Sequence, residues 1–147
     1  MELTYLTIEQ ALEIHRKTID ASGGGLYGEI NTEILKSVLA NIQNDDYYPT
    51  FVDKLTHLFF CACKFHCFED GNKRIAITLS AQFLLMNGYL HFLQQFMPDM
   101  ENISYHVASG RIDKELLHDI LNAYLSGNYE DESIKLRIYM AINQEDI

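Results

Sequence analysis

Prolines are scarce in this chain of 147 residues, which has only Pro49 and Pro98. Long segments therefore run without a residue that interrupts hydrogen-bonded backbone, and between the glycine clusters their apolar residues recur at three and four, the spacing of helices. Cysteines are few as well. Cys61, Cys63 and Cys67 lie close together and are odd in number, a poor disulfide framework, so a reduced, cytoplasmic setting is expected. No run of about 18 apolar residues occurs, and Met1-Glu2-Leu3-Thr4 carries no basic stretch ahead of an apolar one, so neither a membrane span nor a secretion signal is expected. Basic residues are outnumbered, with 11 Lys and Arg against 21 Asp and Glu and a formal charge of -10. That sign repels phosphate backbones and excludes a non-specific nucleic-acid binder. Any nucleotide held here must sit in a local basic pocket.

What is present is a large apolar share, 48% of residues, spread from end to end. A chain of this length fits one domain and can bury roughly 70% of its unfolded surface. The expected class is all-α. Thr7 with Gln10 reads as a capping box opening a helix through Leu12, Ile14, His15 and Ile19, which stops at Ser22-Gly23-Gly24-Gly25. A second helix is expected from Thr32 to about Ile42, and a third behind Asp53 as its cap, with Leu55, Leu58, Phe59, Ala62 and Phe65 in one stripe. Arg74 to Met86 reads as a helix apolar on nearly every face, closed by Asn87-Gly88. The Pro98 region is expected to start another, and Asp113 to cap one through Leu116, Leu117, Ile120, Leu121 and Tyr124. In the tail, Ile134, Leu136, Ile138, Met140 and Ile142 alternate as in a strand, while Ile134, Ile138, Ala141 and Ile142 fit a helix face, so a short strand or helix is expected there.

Polar chemistry is concentrated between two of the most apolar helices, from His66 to Arg74. Gly71 and Asn72 begin a helix, whose first turn presents unpaired N–H groups and a partial positive charge, together an anion site. Lys73 and Arg74 reinforce it, and the Arg fork can hold two phosphate oxygens at once. Asp70 could hold a divalent cation bridging those oxygens. His66 supplies an imidazole, a group whose unperturbed pKa of about 6.5 suits taking a proton from a hydroxyl at neutral pH. Singly, each has a plainer reading: a histidine capping a helix, Asp-Gly-Asn as a turn, Lys-Arg on a solvated face. Their occurrence in one short segment favours phosphate chemistry.

His66-Cys67-Phe68-Glu69-Asp70-Gly71-Asn72-Lys73-Arg74 resembles the core motif of the Fic/Doc (Fido) superfamily, H-x-F-x-[DE]-[AG]-N-[GK]-R. Lys73, and Ile77 where Fic-type adenylyltransferases usually carry a second Arg, are similar to the death-on-curing (Doc) branch, whereas Gly71 is the Fic-like choice. The resemblance runs roughly from Leu3 to Leu125. It implies a Fido helical bundle over residues 1–126, with residues 127–147 an extension of unknown role. It also implies an enzyme using ATP and Mg²⁺. His66 would be the general base on a hydroxyl of a protein target, Asp70 the Mg²⁺ ligand, and Gly71, Asn72, Lys73 and Arg74 the phosphate cradle. Phe68 would anchor the loop, and Gly25, Leu26, Tyr27 and Gly28 would lie over the site to receive the target segment. For the Doc branch the resemblance implies a toxin that phosphorylates a threonine of elongation factor Tu and is held in check by a small antitoxin. The alternatives are AMP transfer to a protein hydroxyl and a catalytically idle Fido binding module.

Other motifs are weaker. Ser22 to Gly28 lacks the Gly-Lys-Ser/Thr ending of a phosphate loop and follows a helix. Cys63, His66 and Cys67 have zinc-compatible spacing without an evident fourth ligand. His15, His57, His91, His106 and His118 read as packing or surface residues. Ser126-Gly127-Asn128-Tyr129-Glu130-Asp131 approaches the [ST]-x-x-x-E-[GN] pattern of an inhibitory helix, but Asp131 departs from it, so inhibition from outside is expected.

Overall fold

The computed structural model describes residues 2–21, 31–64 and 72–143, which form seven α-helices with no strand among the described residues. The all-α expectation holds. α1 (Ile8–Ala21) opens on the expected capping box. Thr7 Oγ1 accepts from the Gln10 N–H at 3.1 Å, and Gln10 Oε1 accepts from the Thr7 N–H at 2.9 Å. Ala11, His15 and Ile19 are its buried residues. α2 (Thr32–Asn41) is capped by Asn31, whose side chain accepts from the Ile34 N–H at 3.1 Å.

α3 (Phe51–Lys64) starts earlier than expected, because Thr50 rather than Asp53 is the cap. Thr50 Oγ1 accepts from the Asp53 N–H at 3.2 Å, and Asp53 Oδ2 accepts from the Thr50 N–H at 3.1 Å. This register places the Asp53 carboxylate over the positive end of the helix and satisfies two terminal N–H groups at once. Leu55, Leu58, Phe59 and Ala62 are buried as expected, and so are Lys54, Thr56, Cys61 and Cys63. α3 is thus covered on almost every side, packing against α2 and three later helices. Lys54 is only 1% exposed, and its ammonium donates to the Ile42 carbonyl at 2.8 Å and to Asp45 Oδ1 at 2.7 Å. A buried charge needs such partners, and here they tie the end of α2 to α3.

α4 (Asn72–Met86) lies beside α3 with Ile75, Ala76, Leu79, Phe83 and Leu84 fully or almost fully buried. Phe83 stacks at 4.8 Å on Phe51 and 6.0 Å on Tyr5. The helix closes at Gly88, whose φ of +88° few other residues adopt. The Asn87 side chain also reaches back to the start of the chain, donating to the Thr4 carbonyl at 2.9 Å and accepting from the Thr4 N–H at 2.8 Å.

α5 (Leu93–Ala108) contains Pro98 in its interior instead of starting there. The missing Pro N–H forfeits one backbone bond, a cost of about 3 kcal/mol that burial of Phe96, Met100, Ile103 and Val107 along the same helix offsets. α6 (Lys114–Leu125) has the expected cap, Asp113, accepting from the Leu116 N–H at 2.8 Å. α7 (Glu132–Ile142) resolves the tail as a helix. Ile134, Ile138 and Ala141 pack against the core cluster, and Arg137 pairs with Asp119 of α6 at 2.7 Å. Leu136, Tyr139 and Met140 remain exposed.

Where α3 meets α6, Lys114 Nζ lies 2.9 Å from His57 Nδ1, so this nitrogen accepts and the imidazole is held neutral. Burial, and then the Lys114 charge, push the His57 pKa down to about 4. A histidine whose folded pKa lies below its unfolded value contributes stability above about pH 6.5 that is lost as pH falls towards 4. His106, lowered by burial and by Arg111, acts in the same direction. Chemical-denaturation midpoints measured between pH 7 and 4 are expected to fall, and less steeply in His57→Gln; equal slopes would remove His57 as a cause.

Candidate active site

The segment from His66 to Arg74 joins the end of α3 at Lys64 to the first turn of α4 at Asn72. Both flanks are fixed by burial, through Cys61, Ala62 and Cys63 on one side and Ile75, Ala76 and Ile77 on the other. His66, Phe68, Asp70 and Gly71 lie outside the described residues, as do the side chains of Asn72 and Lys73 and the loop residues Gly25, Leu26, Tyr27 and Gly28. What is described of the expected cradle is the backbone start of α4 and the exposed side chain of Arg74.

A helix start leaves several N–H groups without intrahelical acceptors and carries a partial positive charge, so an anion is favoured there before any side chain is counted. Arg74 stands on this first turn and lines a cavity of about 640 Å³ between α1, α4 and α5. That volume is ample for a nucleotide-sized ligand. From α1 come Ile14, Lys17, Thr18 and Ala21; from α4, Ile77, Thr78 and Gln82 beside Arg74; from α5, Met97, Pro98 and Glu101. The wall is therefore apolar for much of its extent, with two cations from α1 and α4 and one carboxylate from α5. Among the described residues neither Lys17 nor Arg74 takes part in an ion pair.

The cavity has a rigid seam. Thr18 Oγ1 lies 3.1 Å from Thr78 Oγ1, donates to the Ile14 carbonyl at 2.7 Å, and so locks the last turns of α1 against the second turn of α4. Arg74 is legible in the motif, whereas Lys17, Thr18, Thr78, Gln82 and Glu101 belong to no local pattern that marks them. These residues come from three helices with no local spacing to link them, so only the packing of α1 and α5 against α4 brings them together.

Ser126 to Asp131 does not form a helix. Ser126 caps the C-terminus of α6, Gly127 takes φ +77°, the Asn128 N–H returns to the Ala123 carbonyl at 2.7 Å, and Asp131 caps α7. Glu130 pairs with Lys135 and lies along a separate cavity between α5, α6 and α7.

No helix among the described residues is long and apolar enough to cross a membrane. A family model described as the Fic/DOC family matches residues 5–84, more than half of the chain, and its span takes in the whole segment from His66 to Arg74. No curated protein and no solved structure matched the chain.

Proposed function

Because this chain belongs to the Fic/DOC family, whose members transfer nucleotide-derived groups to protein targets using ATP, usually with Mg²⁺, we propose that it is a Doc-type protein kinase, the toxin of a toxin–antitoxin pair. The observation that carries this reading is Arg74, on the first turn of α4 at the end of the polar segment, opening onto a cavity large enough for a nucleotide. The helix start and the guanidinium suit a phosphate chain. Lys73 and Ile77 favour phosphoryl over adenylyl transfer, since a lysine adds bulk and charge where a glycine would admit a closer phosphate.

In this reading Gly71, Asn72, Lys73 and Arg74 hold the phosphates of ATP, and Asp70 is the carboxylate for Mg²⁺. The donor set fits that ion, which ordinarily takes one or two carboxylates and completes its shell with phosphate oxygens and water. Bound there, Mg²⁺ would neutralise charge on the phosphate oxygens. His66 accepts the proton of a hydroxyl on the target, the hydroxyl oxygen bonds to the terminal phosphorus, and ADP leaves with the electrons of the broken P–O bond. Phe68 anchors the segment, and residues 25–28 receive the target. Residues 1–126 constitute the catalytic domain and 127–147 an extension. The target is a protein such as elongation factor Tu, and a small antitoxin supplies the inhibition that Ser126 to Asp131 does not. The excess of acidic side chains suits a basic segment of that antitoxin.

AMP transfer is the second reading, favoured by Gly71. Incubation with elongation factor Tu and ATP labelled at the α or the γ phosphate separates the two. Label from the γ position is expected on the target; label from the α position would overturn the kinase in favour of the adenylyltransferase.

A further inference from the structure

The cavity wall opposite the start of α4 carries a cation that the motif does not account for. Lys17 stands on the last turns of α1, beside Thr18, whose 3.1 Å contact with Thr78 fixes that stretch against α4. Thr78 is four residues after Arg74, so the Thr18–Thr78 seam lies about 6 Å along α4 from the residue that opens the cradle. A lysine carries its charge on a flexible four-carbon stem. Lys17 is exposed and lines the same cavity as Arg74.

Charge in this cavity is also ordered. Lys17 and Arg74 occupy the α1 and α4 walls, while Glu101 projects from α5. A polyanion entering it is drawn to the first two walls and repelled by the third. In a chain of formal charge -10, two cations left without carboxylate partners among the described residues and facing one cavity form a local reversal of sign.

We propose that Lys17 is a second anchoring cation for the phosphate chain of the nucleotide, gripping it from α1 while the start of α4 and Arg74 grip it from the other side. This rests on the reading of the site as an ATP site. Its role is binding and orientation, with no part in proton transfer.

The test compares ATP with adenosine, which offers the same base and sugar without charge, by calorimetric titration of the full chain and of Lys17→Met, Lys17→Arg and Lys36→Met. Loss of one charge-assisted contact is expected to weaken ATP about tenfold or more in Lys17→Met. Adenosine affinity is expected to stay within twofold. Lys17→Arg should recover most of the loss, and Lys36→Met, on the exposed side of α2, should bind as the parent does. In transfer assays Lys17→Met should raise KM for ATP with little change in kcat, the signature of lost uniform binding. ATP affinity within twofold of the parent in Lys17→Met, or equal weakening of adenosine, overturns the role of Lys17 and leaves the ATP site standing. A parent chain that binds no ATP overturns both.

Discussion

His66→Ala is expected to slow group transfer by about 10²–10⁴-fold, the range typical for removing a positioned general base. The hydroxyl of a serine or threonine is a weak nucleophile until its proton has somewhere to go, and among the motif residues only an imidazole titrates near neutral pH. Binding of ATP should survive, because the proposed cradle is built from the start of α4 and from Arg74 rather than from this ring. The decisive measurement pairs transfer of γ-label with a separate titration of ATP. Transfer lost with ATP binding kept is the expected pattern. Undiminished transfer would remove His66 as the base, and persistence of every cellular effect in this variant would favour an idle binding module. Asp70→Ala offers the complementary separation: transfer should disappear at every Mg²⁺ concentration while thermal stability is retained.

The largest effect on stability is expected at Phe83. Its side chain is fully buried and lies in a row of rings in which Phe51 stacks on it at 4.8 Å and Tyr89 stacks on Phe51 at 5.0 Å. Truncation to alanine removes the apolar surface and leaves a cavity that α3 and α4 cannot close without moving, at a cost of about 3–5 kcal/mol. Set against a total stability of about 5–15 kcal/mol for an ordinary domain, that loss is a large fraction of the whole. Urea denaturation followed by circular dichroism should show the midpoint falling sharply in Phe83→Ala and by a smaller amount in Phe83→Leu, which refills most of the volume. A midpoint unchanged in the alanine variant would mean that the ring row is not a stabilising element. Phe83→Ala should lose transfer and ATP binding together, at the urea concentrations that unfold it, whereas His66→Ala should lose transfer alone.

Features governed by neighbours along the chain are legible in the sequence itself. Thr7 with Gln10, Asp113, and the Asn87-Gly88 stop all act within one turn of their own helix, and each lies where the residues indicate. Fold and sequence part where two local rules compete. Thr50 and Asp53 are both good caps, and the choice between them depends on the reciprocal bond that each makes to the other. Pro98 is a natural first residue of a helix, yet here the helix extends back to Leu93 because Phe92 and Phe96 are buried. The tail is ambiguous for a different reason. A helix that buries Ala141 and half-buries Ile134 and Ile138 while exposing Leu136, Tyr139 and Met140 has apolar residues on two faces, and that pattern imitates the alternation of a strand. At the site, the motif stands out as a dense polar run, whereas Lys17 and Glu101 become neighbours of Arg74 only through packing among α1, α4 and α5.

The pair of hydrogen bonds between Asn87 and Thr4 links positions 83 residues apart. In the language of chain assembly this is a late event. Closing a loop of that length costs about 4 kcal/mol in configurational entropy before its contacts return anything, and during synthesis it cannot begin until residue 87 has left the ribosome. The segment it fastens leads directly into α1, the helix that supplies Lys17 and one wall of the cavity. A growing chain therefore has α3 in place before α1, α4 and α5 can enclose the cavity. The cavity is enclosed only once α1, from the beginning of the sequence, and α5, which follows α4, have both docked on α4.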